Sequence, residues 1–266
     1  TYEEADAQKD SPALAPLFAI AEKNRIRREN AGAVSIDFPE VFITLAEQDG
    51  TKRVQLQPAA HTEAAAMIKE MMLLAGEAAA RFAFQHSIPF QYISQETPEL
   101  PNKLPSGLAG EYRKRRAMRP RSVGTIPSMH AALGLAMYGQ VTSPLRRYGD
   151  LVSHRQLLNY IDGKPLTPAA DLILKIAAGD VAGRACVAAE RASRQHWTLV
   201  YLLQNPDWRG TAVVLEAMGK KAHIFIPSLA YEGDMTLDSE PELNQELTVK
   251  VRRIRLAYLQ ASFEQV

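Results

Sequence analysis

The segment Thr142-Ser143-Pro144-Leu145-Arg146-Arg147-Tyr148-Gly149-Asp150 sets two adjacent arginines at the start of an expected helix. Ser143 followed by Pro144 reads as an N-cap with proline at the first helical position, which puts Arg146 and Arg147 in the opening turn. Cations suit that end poorly. Its free N–H groups and dipole are already positive, and each misplaced charge costs about a few tenths of a kcal/mol. Two compensations are open. Asp150 lies four residues after Arg146 and three after Arg147, so a helical ion pair can form. Alternatively an anion, naturally a phosphate, sits where N–H groups and guanidiniums converge. The two are compatible, with Asp150 orienting an arginine that then faces phosphate. His154, four residues past Asp150, shares its face and reads as a packed or surface histidine held by Asp150. No His or Cys pair has metal-ligand spacing, and neither a Gly-rich phosphate loop nor a Gly-x-Ser-x-Gly elbow is present.

The elements around this segment are mainly helical. Leu14, Leu17, Ile20 and Ala21 recur at helical spacing over residues 11 to 30, followed by a polar tail, Glu22 to Glu29. Residues 33–37, 41–45 and 53–56 read as strands, with Asp49-Gly50 as a hairpin turn between the last two. Residues 59 to 86 form the clearest amphipathic helix, with Met67, Met71, Leu74, Ala78 and Phe82 on one stripe. A short strand is expected from Phe90 to Ile93, then a loop over 95–110 rich in Pro and Gly. The basic run Arg113, Lys114, Arg115, Arg116, Arg119 and Arg121 follows, either a solvated helical face or the lining of an anionic path. A helix is expected from Pro144 to Ile161. A longer one runs from Thr167 to Leu203, broken or bent at Gly179-Asp180.

After Trp208 the pattern turns to short strands, 210–216, 222–227, 246–256 and 258–264, which fit a small barrel of the OB type. The expected domains are therefore 1–207 and 208–266. The barrel stretch from 210 to 266 holds six Lys and Arg against eight Asp and Glu. Any affinity for nucleic acid there depends on local placement of Arg252, Arg253 and Arg255, or on help from the neighbouring domain. His223, Phe225 and Tyr231 lie where rings could stack on bases, although Phe225, between Ile224 and Ile226, equally suits the core.

The whole chain of 266 residues carries 31 Lys and Arg against 30 Asp and Glu, so bulk charge is silent about nucleic acid. One cysteine, Cys186, rules out an intrachain disulfide and fits a reducing cytoplasm. No apolar run approaches the roughly 18 residues that a membrane span needs.

At this point the residues resemble a known family. His130-Ala131-Ala132-Leu133-Gly134-Leu135-Ala136-Met137-Tyr138, then Thr142 to Leu151, then His154-Arg155, are similar to the signature of the ribonuclease II/ribonuclease R family. The tail resembles the S1 RNA-binding domain that follows the catalytic domain there. The resemblance implies an α+β fold: the C-terminal part of an RNB-type catalytic domain, helix-rich with a small sheet, followed by an OB-fold barrel. It implies a processive, Mg2+-dependent exoribonuclease that degrades single-stranded RNA from the 3′ end to nucleoside 5′-monophosphates. By resemblance Arg146 contacts the scissile phosphate, and Tyr2, Glu70, Thr142, Ser143, Arg147, Tyr148, His154 and Glu190 contact RNA. Tyr2 also reads as an ordinary aromatic, and Glu190 as the partner of Arg194. The family usually has paired acids where this chain has Lys69-Glu70, which leaves Glu70 alone to stand in.

The family's Mg2+ ligands are a cluster of aspartates upstream of the Tyr2 position, and no equivalent close-spaced group occurs in this sequence. Two-metal hydrolysis needs clustered carboxylates to hold its ions. The expectation is a C-terminal piece of a nicked, truncated or divided enzyme, with single-stranded RNA and the missing N-terminal part as its partners. The alternatives are an RNA-binding or regulatory protein that keeps the fold without catalysis, and a scaffold that binds another protein through the barrel.

Overall fold

A computed structural model describes the chain from Thr1 to Val266, apart from Asp49 and the side chain of Gln48. The helices are α1 (Tyr2–Ala7), α2 (Ala15–Asn30), α3 (Glu63–Gln85), α4 (Gly107–Ala117), α5 (Tyr148–Ile161) and α6 (Ala169–Gln204). The strands are β1 (Val41–Gln48), β2 (Thr51–Pro58), β3 (Tyr92–Ser94), β4 (Ser122–Gly124), β5 (Arg209–Met218), β6 (Lys221–Ile226), β7 (Tyr231–Thr236), β8 (Glu246–Arg255) and β9 (Gln260–Gln265). They gather into two compact units. Thr1–Ser35, His61–Glu99 and Met118–Ala185 make the first, and Ile36–Ala60, Leu100–Ala117 and Cys186–Val266 make the second.

In the first unit α2 packs on α3 through charge as well as apolar surface. Arg28 and Asn24 both bond Glu70, and Arg27 and Arg81 both bond Glu77. This moves the buried face of α3 off the expected stripe. Met67 and Leu73 are buried as apolar residues, Glu70 and Glu77 are buried as ion-pair partners, and Ala78 is exposed. Burial alone would raise the pKa of Glu77, but the guanidiniums of Arg27 and Arg81 outweigh it and hold the carboxyl below its ordinary value. Thr62 caps α3 by accepting from the Ala65 N–H at 3.2 Å, and Asp6 of α1 accepts from the Glu63 and Ala64 N–H groups at 3.1 and 2.6 Å. Residues 33–37 form no strand. Within this unit Val34 makes a single backbone bond, to the Ala132 carbonyl at 3.0 Å, with no ladder to join. The short strands β3 and β4 pair antiparallel.

The second unit holds the barrel, an antiparallel sheet in the order β7-β6-β5-β8-β9. Its edges are drawn together at Tyr231, whose hydroxyl accepts from the Ala261 N–H at 3.0 Å and donates to the Ala261 carbonyl at 3.3 Å. Ala212, Val214, Ile224, Ile226, Leu247, Val249 and Phe263 fill the interior, closed off by Leu199 and Leu202 of α6. β1 and β2 form the expected hairpin with Gln48 opposite Thr51. Of its turn, Asp49 lies outside the described residues.

α4 and α6 differ from expectation. α4 starts at Gly107, inside the expected loop, because its first turn is capped from the barrel. Asn244 accepts from the Ala109 N–H and donates to the Ser106 carbonyl, both at 2.8 Å. A cap supplied 135 residues away leaves no local signal. α6 runs unbroken through Gly179-Asp180. The glycine instead makes room for a ring: a Cβ there would lie 2.9 Å from Cδ1 of Tyr148.

Candidate functional site

The arginine segment is built differently from a capped helix start. The Ser143 carbonyl accepts from the N–H groups of Arg146 (3.2 Å) and Arg147 (2.9 Å), so residues 143–147 close one isolated turn. The chain then extends at Arg147 (φ −121°, ψ 111°), and α5 begins only at Tyr148. Ser143 is therefore not the N-cap. Its N–H donates instead to Asp150 Oδ2 at 2.8 Å.

Asp150 organises the turn. It is 0% exposed. Besides Ser143, its Oδ2 accepts from Arg147 Nε (3.0 Å) and Nη2 (2.6 Å), and Arg147 Nη2 also donates to Thr142 Oγ1 at 3.1 Å. One carboxylate thus ties Thr142, Ser143 and Arg147 together. The Arg146 side chain is exposed and has no hydrogen-bond or ion-pair partner among the described residues. The internal compensation is realised by Arg147, which leaves Arg146 to face outward.

The surroundings lock this arrangement. His154 donates from Nε2 to the Val141 carbonyl at 2.6 Å, so it holds the chain segment leading into the turn and not Asp150 as expected. Since a carbonyl only accepts, Nε2 carries the proton. The Tyr138 carbonyl accepts from the Ile93 N–H at 2.8 Å. Gly149 lies against the Gln91 amide, which a Cβ would meet at 2.5 Å. Tyr148 is half-exposed, with its ring over Gly179.

The remaining expected RNA contacts separate. Tyr2 is half-exposed on α1. Glu70 is 4% exposed and held by Arg28 and Asn24, so its carboxylate braces α2 on α3 and is not offered to a ligand. Glu190 belongs to the second unit, exposed on α6 with Arg194 Nε 3.7 Å away, a loose surface pair. There it lines a cavity of about 740 Å³ with Arg115, Arg191, Arg194 and Gln195. A neighbouring hollow adds Phe42 and Trp197. The 190, 194, 197 spacing on one helix face was the readable signal for this groove. The basic run is largely engaged. Lys114 pairs with Glu111 and Arg115 with Glu232 in the second unit, and Arg119 pairs with Glu99 and Arg121 with Asp180 in the first.

A divalent cation needs several oxygen ligands. Among the described residues no three His, Cys, Asp or Glu side chains come together to hold a metal ion. The carboxylate beside Arg146, Asp150, has Oδ2 committed to three N–H groups and Oδ1 buried. These residues do not fit a Mg2+ site.

The arginine-bearing turn, the helical unit and the barrel define a protein of the RNB class, and the chain belongs to that family: the RNB domain description matches residues 1–105 and 109–163. Among curated relatives, an uncharacterized ribonuclease of Synechocystis sp., sll1290, is 36% identical over 224 residues, which is 79% of this chain and 33% of the relative. The chloroplastic/mitochondrial ribonuclease II of Arabidopsis thaliana is 26% identical over 70% of this chain and 24% of its own length. The chain thus spans a third or less of these relatives. Among solved structures, an active-site mutant of the Dss1 exoribonuclease from Candida glabrata covers all of this chain and 38% of its own at TM-score 0.83 and 21% identity. Mycoplasma genitalium RNase R in complex with ribose-methylated single-stranded RNA covers 95% of this chain and 49% of its own at TM-score 0.74 and 15% identity. The yeast pseudonuclease Ssd1 shares the fold at TM-score 0.62 and 16% identity, over 88% of this chain and 35% of its own. Among the described residues no helix is long and apolar enough to cross a membrane.

Proposed function

We propose that this chain contributes the phosphate-binding turn and RNA-contacting surfaces of a 3′→5′ exoribonuclease acting on single-stranded RNA. The observation that carries the reading is the division of labour between neighbouring arginines. Arg147 is locked to Asp150 and Thr142, while Arg146 stands exposed beside it with no partner among the described residues. A guanidinium carried on a braced turn and free of other partners is available to bind a phosphate in bidentate fashion. Hydrolysis of the bond between phosphorus and the 3′ oxygen leaves the phosphate on the released nucleotide, a 5′-monophosphate. Negative charge builds on the non-bridging oxygens as water attacks, and Arg146 stabilises it there. Thr142, Ser143, Arg147 and His154 act by holding the turn. Tyr148 and Tyr2 offer half-exposed rings to bases. Mg2+ remains part of this proposal, but the residues described here do not fit it and no step is assigned to it.

The test follows RNA labelled at either end, incubated with Mg2+ and the natural protein that carries this chain. Mononucleotides released first from the 3′ label support the reading. Release from the 5′ end, or internal cuts, overturns it. A second reading, an RNA-binding protein that keeps the fold without catalysis, is favoured by the lack of a carboxylate cluster among the described residues and by the likeness to a pseudonuclease. Tight RNA binding without release of any product selects it.

A further inference from the structure

OB barrels commonly bind oligonucleotides on the face of their second and third strands, flanked by the first and last loops. In this barrel those strands are β6 and β7, and their outer face is occupied. Leu215 and Phe225 point out of the barrel, yet both are buried beneath Phe38, Leu108 and Tyr112 of the same unit. The Phe38 and Phe225 rings meet edge-on at 4.7 Å. The polar groups on that face are mixed in sign, Lys221 beside His223, Glu232 and Asp234, and most are paired. His223 sits between Asp234 (2.7 Å) and Glu232 (3.5 Å), and Glu232 is held by Arg115 at 2.6 Å. The rings singled out from sequence are all engaged there: Phe225 under α4, His223 by carboxylates and Tyr231 in the core. The apolar part of this side is covered, and its carboxylates face any approaching polyanion.

The opposite side of the barrel, at β8, has the reverse character. β8 carries a bulge between Val251 and Arg253. Val251 and Ile254 both pack on the barrel core, so the residues between them, Arg252 and Arg253, are consecutively turned outward, and Arg255 follows. All three are exposed, and none has a carboxylate partner among the described residues. Their neighbours across the ladder on β9 are the uncharged Ser262 and Gln260, and the nearby Glu264 is paired with Lys250. The Arg255 guanidinium lies 4.3 Å over the ring of Tyr258, which is 66% exposed. The loop that carries Tyr258 is held in place by Gln195 of α6, which donates to the Leu259 carbonyl at 2.6 Å and also lines the cavity of Arg191 and Arg194.

We infer that the barrel binds single-stranded nucleic acid on the outer side of β8, with Arg252, Arg253 and Arg255 on the phosphates and Tyr258 as a stacking ring, and not on the face of β6 and β7. The bulge is the device that concentrates the charge, in a module whose overall balance is acidic. An exposed aromatic beside unpaired guanidiniums matches alternating bases and phosphates better than it matches an acidic peptide. The inference rests on the RNA-acting reading above.

The test is fluorescence anisotropy of the chain with a labelled single-stranded RNA across a salt series. Simultaneous Arg252→Gln, Arg253→Gln and Arg255→Gln is expected to weaken binding about tenfold or more. It should also flatten the salt dependence by about 2 in log–log slope, since each single-strand phosphate contact contributes roughly 0.7. The matching triple Lys variant should restore most of both effects, which separates charge from folding. Tyr258→Ala should weaken binding roughly fivefold with the slope unchanged, and Asp234→Asn on the other face should leave it unaltered. If wild type binds and the triple Gln variant binds equally with the same slope, the inference fails while the RNA reading stands. If polyglutamate displaces RNA as well as unlabelled RNA does, the surface serves an acidic protein partner and the assignment to nucleic acid is wrong. If wild type binds no RNA, both readings fall.

Discussion

Two adjacent arginines, both spaced to pair with Asp150, take opposite duties once Asp150 is buried. Removing Asp150 leaves the Arg147 guanidinium and the Ser143 N–H without their shared acceptor. Breaking one side of a buried pair costs about 3–5 kcal/mol. Asp150→Ala should therefore lower the urea midpoint markedly, whereas Arg146→Ala should stay within about 0.5 kcal/mol of wild type. Equal stability losses in the two variants would refute this division. His130 provides a second residue-scale test. Burial pushes its imidazole down to about 4 from an ordinary 6.5. The unfolded chain then takes up a proton between these values that the folded chain refuses, so this residue's stabilising effect is complete above pH 6.5 and is lost as pH falls toward 4. His130→Phe should reduce the loss of stability across that window, measured as the difference in unfolding free energy between variant and wild type. The Arg147–Asp150 spacing was legible because ion pairs in a chain turn follow local periodicity. The partner of His154 was not, since the Val141 carbonyl is a backbone group that the side-chain pattern does not advertise.

At the scale of elements, the barrel and the main helices followed from apolar periodicity, while their ends and interruptions did not. α5 starts later than the Ser-Pro pair suggests because the Ser143 N–H and carbonyl are used in the preceding turn. α6 continues past Gly179, and this supports a prediction with two readouts. Alanine favours a helix interior over glycine by about 1 kcal/mol, but its Cβ would meet the Tyr148 ring at 2.9 Å. That ring is half-exposed and free to swing away. Gly179→Ala should thus hold or slightly raise the melting temperature while it weakens RNA binding. A variant that binds RNA as wild type does would remove Tyr148 from the contact surface. The seam between α2 and α3 shows why Glu70 misled the residue pattern. A glutamate on a helix reads as solvent-facing, and only tertiary packing brings Arg28 and Asn24 over it. Glu70→Ala should destabilise by roughly 3 kcal/mol or more, with the buried Arg28 left unpaired. A loss below about 1 kcal/mol in a denaturant titration would contradict that role.

For the whole molecule, two compact units carry different parts of the proposed chemistry. The first presents Arg146 from its braced turn, and the second presents Glu190, the arginine-lined cavity and the barrel. Long-range choices such as the capping of α4 by Asn244 and the covering of Phe225 by Phe38 and Tyr112 depend on chain segments far apart in sequence. The composition of any one segment therefore does not reveal them. The most direct measurement is single-turnover hydrolysis of a 3′-labelled single-stranded RNA by the natural protein carrying this chain, comparing wild type with Arg146→Ala at saturating RNA. The account predicts a rate lower by about 100-fold or more, the usual consequence of losing a group that stabilises transition-state charge, with RNA affinity changed only a few-fold. An Arg146→Ala protein that releases mononucleotides at the wild-type rate would contradict it.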